Sequence, residues 1–204
     1  MYSAGRRNAE LTRKENKKMS TKHFEMTANE KQLIVEAIVN ARKQTYTPER
    51  LCDLQKIIDA QYFYWWINDM KVEEQAKNLF HDPFNAYCTG FGGYQTTPLG
   101  WAKNAKFCNA FMTSNHMGHN PMVWFMDDTH ARGVFLFESH FTYNDDPDEL
   151  VELFVIYVDD FEKDENGQWN ISDYRLIQTK LSGNQRQDTL LAPEDYTIPE
   201  WDTV

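Results

Sequence analysis

The chain has 204 residues, a length that suits one well-buried domain with an extension and is short for two ordinary domains. It is 41% hydrophobic and 14% aromatic, which argues for a packed core over disorder, and a net charge of -10 argues against nucleic acid or an anionic membrane surface as partner of the body. No apolar run approaches the roughly 20 residues that span a bilayer, and the first 30 residues lack the apolar stretch of a secretory signal, so a soluble, cytoplasmic protein is expected.

Residues 1–26 read as a basic, solvated arm: seven Lys and Arg up to Lys22 face only Glu10 and Glu15, giving about +5 there and about -15 elsewhere. In the segment 27–46, Leu33, Ile34, Ala37 and Ile38 stand at helical spacing and predict an extra N-terminal helix from Thr27 to Arg42. Thr47-Pro48-Glu49 opens the next helix, with Thr as N-cap and Pro at the first helical position. Leu51, Leu54, Ile58, Tyr62 and Trp65 are its expected apolar stripe. A third helix is predicted from Lys71 to Phe80, stopped by Pro83. Phe84 to Tyr94 mixes aromatics with Gly90, Gly92 and Gly93 and reads as a strand with a bulge or turn. Thr97-Pro98 repeats the helix-opening signal, and Leu99, Ala102, Ala105, Cys108 and Met112 give that helix a buried face.

The period then changes from helical to alternating. Pro121 to Met126 and Ala131 to Tyr143 alternate, with Asp127-Asp128 as the hairpin turn. Glu149 to Glu162 forms a further strand, Glu165-Asn166-Gly167-Gln168 a strong turn, and Trp169 to Leu181 the last strand. Consecutive strands joined by tight turns must be antiparallel. The layout is therefore α+β, a curved antiparallel sheet with N-terminal helices packed on one face. Residues 182–204 form an acidic tail lying along the surface. Cys52, Cys88 and Cys108 are far apart with no CxxC pair, which suits reduced, buried thiols better than a disulfide or zinc site, and the GFGG run lacks the context of a phosphate loop.

Candidate chemistry sits in two segments. At the end of the second helix, in YFYWWIND, Tyr64 and Asp69 are five positions apart, and Asp69 projects inward, where a carboxylate is costly unless hydrogen-bonded. The plainer readings are a helix-end carboxylate and a core tyrosine. Further on, SNHMGHNP, from Ser114 to Pro121, reads as a loop carrying His116 and His119. Their spacing hints at metal ligation, but no HExxH helix or third ligand accompanies it, so no metal is expected. A phenol, a carboxylate and an imidazole are the groups that move protons around a carbonyl.

The order Tyr64, Asp69, Leu79-Phe80, His116 in HMGHNP, a strand pair and a GQW-I finish at Gly167 to Ile171 resembles the SnoaL-like branch of the nuclear-transport-factor-two-like superfamily, over residues 47–181. Within it the likeness is to the bile-acid dehydratase and scytalone dehydratase group. The resemblance implies a cone-shaped α+β barrel, with Tyr64, Asp69 and His116 as catalytic residues. Tyr62 rivals Tyr64, but choosing it would move the carboxylate position onto Ile67. A second strand histidine of the scytalone enzymes falls one residue from His140. A late arginine of the bile-acid enzyme falls on Gln178, beside Arg175, which departs from the pattern for a bile-acid-like or CoA-bearing substrate.

The implied activity is a cofactor-independent lyase that eliminates water from a hydrophobic, cyclic or polyketide-like carbonyl compound, with no metal or organic cofactor. An isomerase using the same proton chemistry, or a non-catalytic binding or assembly module such as a dioxygenase small subunit, is the alternative. A homodimer or homotrimer is expected, with a hydrophobic small molecule as ligand.

Overall fold

The structure, a computed structural model, describes residues 20–194 and 196. Residues 1–19, which hold most of the expected basic arm, and the end of the acidic tail lie outside the described residues. Within the arm's expected range, Thr21–His23 form a short strand, β1, paired with the last strand of the sheet.

Three helices begin where their caps predict. α1 (Ala28–Lys43) opens on a capping box, in which the Glu30 N–H donates to the Thr27 hydroxyl at 3.2 Å and the Thr27 N–H to the Glu30 carboxylate at 2.6 Å. α2 (Pro48–Asp69) and α3 (Pro98–Asn109) have Thr47 and Thr97 as N-caps, each followed by proline.

The remaining elements are the strands β2 (Phe80–Cys88), β3 (Gly92–Thr96), β4 (Met112–Phe125), β5 (His130–Tyr143), β6 (Asp146–Lys163) and β7 (Trp169–Ser182). They form one curved sheet in the order β3-β2-β7-β6-β5-β4. Every pairing is antiparallel except β2 with β7, which is parallel. The chain can return in parallel there because α3 and three long strands separate the two partners in sequence.

The predicted third helix is replaced by a 3-10 turn, Glu73–Asn78, entered through Lys71 in the left-handed region (φ 58). Leu79 and Phe80, both buried, leave it for the sheet, where the Ile171 N–H donates to the Leu79 carbonyl at 2.9 Å. Pro83 sits at a register shift of β2 between Phe80 and Asn85, a place where a missing donor is tolerated.

α2 and α3 cover the inner face of the sheet, over a core that includes Ile57, Trp65, Trp101, Phe135, Tyr157, Phe161 and Ile171. α1 packs on the opposite face, where Ile34 and Ala37 meet Val134, Val158 and Ile177. The helices therefore sandwich the sheet, whereas the sequence predicts them on one face. The expected stripe of α2 is also rotated: Leu51 and Tyr62 are exposed, while Asp53, Ile57, Gln61, Tyr64, Trp65 and Asn68 are buried. Polar residues on the buried side hide that face from a hydrophobicity pattern. Leu99, expected on the buried face of α3, is exposed, and Trp101 takes its place.

The tail departs little from the surface. The Arg186 guanidinium pairs with Asp145 at 2.8 Å, and the Ala192 N–H donates to the Asn104 amide at 2.7 Å. All three cysteines are free, but only Cys88 and Cys108 are partly buried, and burial pushes both thiols up to about 12. Cys52 is exposed, contrary to expectation.

Candidate functional site

The segment SNHMGHNP is strand, not loop. β4 runs through it at the edge of the sheet, pairing with β5, and its pleat turns Ser114, His116 and Gly118 toward α2. Asn120 and Pro121 fall in a bulge between His119 and Met122, where Asn120 has φ 50 and the proline donates nothing, while Asn115 and Gly118 stay in register with β5.

That pleat brings β4 against the last residue of α2. A carboxylate at a helix C-terminus opposes the helix dipole, so Asp69 needs donors from outside the helix. β4 supplies three. The Ser114 hydroxyl donates to Oδ1 at 2.8 Å, the His116 backbone N–H to Oδ2 at 2.8 Å, and His116 Nδ1 makes a close hydrogen bond to Oδ1. Burial raises the Asp69 pKa, but these bonds from His116 and Ser114 outweigh it and hold the carboxyl below the ordinary aspartate range. With Nδ1 engaged, Nε2 is the ring nitrogen left for other chemistry. The imidazole also lies against Phe137, ring centroids 5.2 Å apart.

His116 and Asp69 line a cleft of about 320 Å³, walled also by Tyr62, Trp65, Trp66 and Gly118. Gly118 is there because of Trp65: a Cβ on Gly118 would lie 1.7 Å from the indole ring, so the tryptophan rests directly on the strand backbone. Trp65 closes the back of the cleft, with Phe137 and Tyr157 against it at centroid distances of 5.3 and 6.3 Å.

Of the three residues singled out from sequence, the structure joins Asp69 with His116 and sets Tyr64 apart. Tyr64 is buried beyond Trp65, its hydroxyl 2.9 Å from that of Tyr174, with Tyr157 as a third phenol at ring-centroid distances of 5.8 and 5.5 Å. Burial pushes all three hydroxyls above the ordinary tyrosine value. The phenol on the cleft is Tyr62.

His119 and His140 stand away from the pair. His119 is exposed beside Leu136, and His140, in alternation with Val134, Leu136 and Glu138, is on the sheet face opposite the cleft, 3.7 Å from Glu138. Arg175 is paired with Asp160 at 3.4 Å and with Asp173. Among the described residues no cluster of His, Cys, Asp and Glu has the geometry to hold a metal ion, and no helix is long and apolar enough to cross a membrane. Ser114 and Trp65 carry no motif signal; only the strand reading of SNHMGHNP, with Ser114 two residues before His116, would have drawn attention to Ser114.

A curved, unclosed sheet with α2 and α3 inside it is the cone of the nuclear-transport-factor-two-like fold. The chain belongs to the family of the SnoaL-like domain, whose model matches residues 49–175. Among solved structures it is similar to a protein assigned as a scytalone dehydratase from Novosphingobium aromaticivorans, with 20% identity, a TM-score of 0.60, and coverage of 72% of this chain and 97% of that one. It is also similar to the hexachlorocyclohexane dehydrochlorinase LinA-type3 from Novosphingobium barchaimii, with 16% identity, a TM-score of 0.57, and coverage of 74% and 97%. A protein from Kribbella flavida matches at 18% identity and a TM-score of 0.58 over 64% of this chain and 93% of its own. No curated protein matches the sequence.

Proposed function

We propose that the protein is a cofactor-independent lyase, a dehydratase that removes water from a hydrophobic, cyclic or polyketide-like carbonyl compound. The observation that carries this reading is the hydrogen-bonded pair of Asp69 and His116 opening on an aromatic cleft. In the proposed reaction, His116 Nε2 takes the proton from the carbon next to the carbonyl. Asp69 fixes the ring and stabilises the imidazolium that results, a general-base arrangement of the kind that contributes about a hundred- to ten-thousandfold in rate. The electron pair left on carbon expels the hydroxyl on the neighbouring carbon, which leaves as water after taking a proton. Tyr62 is the phenol assigned to that proton, and Tyr64 is assigned to the substrate's far end. The names of two similar structures, a dehydratase and a dehydrochlorinase, are both of eliminations, which supports the reaction class.

The test is a panel of cyclic β-hydroxy ketones followed by the ultraviolet absorbance of the conjugated enone. Catalysed appearance of enone with at least one member is expected; exchange of the proton next to the carbonyl with solvent, with no loss of water, would point to the isomerase instead. One observation favours a binding module: Trp65, Tyr64, Tyr157 and Trp101 fill the inside of the cone. That reading requires the panel to show binding with no turnover.

A further inference from the structure

Beyond Trp65, the interior of the cone holds polar groups that packing alone does not require. Gln61, one turn ahead of Tyr64 and Trp65 on the buried face of α2, is 0% exposed, and neither atom of its amide has a hydrogen-bond partner among the described residues. Asp159, also 0% exposed, stands opposite Tyr174 on the strand pair β6 and β7 and two residues from Tyr157. Its Oδ1 accepts the Arg175 backbone N–H at 2.8 Å, while Oδ2 has no partner among the described residues. The Trp65 indole N–H likewise has no partner among the described residues. Orphaned buried polar atoms are rare in folded proteins and each calls for an explanation. Here they cluster on the elements that also bring the three phenols together.

We infer that Gln61, Asp159 and the phenols of Tyr64, Tyr157 and Tyr174 form a polar subsite for the uncharged oxygen functions of the substrate, with Trp65 between it and the Asp69–His116 cleft. The inference deepens the lyase reading and rests on it only for the word substrate. Its chemistry is set by the groups themselves. Gln61 both donates and accepts, and the phenols are neutral donors. Burial outweighs the Arg175 contacts and holds the Asp159 carboxyl well above the ordinary aspartate range, so this acid donates as well. No cation stands among the five, so a hydroxyl or carbonyl oxygen fits and a carboxylate or phosphate does not. The ligand class is therefore an oxygenated ring without charge.

Titration of the full chain with 2-naphthol, naphthalene and 2-naphthoate tests this without knowledge of the substrate. Naphthalene is the more apolar, so a plain greasy cleft would prefer it. The expected result is 2-naphthol bound about tenfold or more tighter than either, as one or two satisfied buried hydrogen bonds allow. Gln61→Leu should abolish most of that preference, leave naphthalene affinity unchanged and raise the thermal midpoint, because an orphaned amide is gone. Tyr174→Phe, which removes one hydroxyl and no ring, should lower the ratio several-fold and stands in if the first variant fails to fold. His116→Ala should keep the preference, which separates this result from the fate of the catalytic reading. Equal affinities in the native protein, or an unchanged ratio in both interior variants, would overturn the inference and leave the cluster as a holder of internal water.

Discussion

Asp69 is a carboxylate placed where its own helix repels it and its neighbouring strand recovers it. Its lowered pKa means that the folded state holds the charged form more firmly than the unfolded chain does. That stabilisation is complete above the ordinary aspartate value of about 3.9 and is lost as pH falls below it toward the folded value. Asp69→Asn should therefore flatten the acid limb of thermal stability between pH 5 and 3, measured by midpoint against pH; an unchanged limb would mean the His116 and Ser114 bonds do not form in solution. Asp159 has the opposite sign. Its raised folded pKa favours the proton in the folded state, so the native protein loses stability as pH rises from the ordinary aspartate range toward the folded value. Asp159→Asn keeps the acceptor for the Arg175 N–H and removes that slope, so the variant should melt higher than the native protein at pH 8 and gain less at pH 4. Neither behaviour was legible in sequence. Asp69 shows as an inward carboxylate, but its donors come from β4, and Asp159 shows only as one acid in a run of two.

Elements were legible where a local rule fixes them and misread where pairing does. The three Thr-capped helices start at the predicted residues because the cap, with a proline in α2 and α3 and the Glu30 capping box in α1, acts within four residues. β4 was hidden because Asn, Gly and Pro read locally as loop, while β5 imposes the ladder from the other side. Gly118 shows what the element gains from that composition. Gly118→Ala should drive the Trp65 ring off the strand and cost about 1–3 kcal/mol, the usual range for overpacking a core; a denaturant midpoint equal to the native one would show that Trp65 does not rest there. The edge of β4 has its own closure. Gln44, just past α1, donates its amide to the Val123 carbonyl and accepts the Phe125 N–H at 3.0 Å, as a neighbouring strand would. Gln44→Ala should lower stability by about 1 kcal/mol and speed hydrogen exchange at Phe125.

At the scale of the whole molecule, the order of helices and then strands was enough for the α+β class, while the placement of α1 on the far face was not, since a pattern gives a buried stripe and not the surface that buries it. The exposed Val35, Ile38 and Val39 of α1, with Leu136 exposed on the sheet face that α1 covers, are the apolar surface on which a homo-oligomer is proposed. Light scattering coupled to size exclusion should give a mass of two or three chains; a single species of 24.1 kDa would contradict it. The candidate site was legible as residues more than as geometry: Asp69 and His116 meet, whereas Tyr64 lies behind Trp65 and Tyr62 faces the cleft. The most direct measurement is therefore kcat/KM for the native protein, His116→Ala and Asp69→Asn on whichever β-hydroxy ketone of the panel gives enone. A fall of about a hundredfold or more for His116→Ala and a smaller fall for Asp69→Asn, with folding intact by circular dichroism, is the expected result; full activity in both variants would contradict a reaction run by this pair.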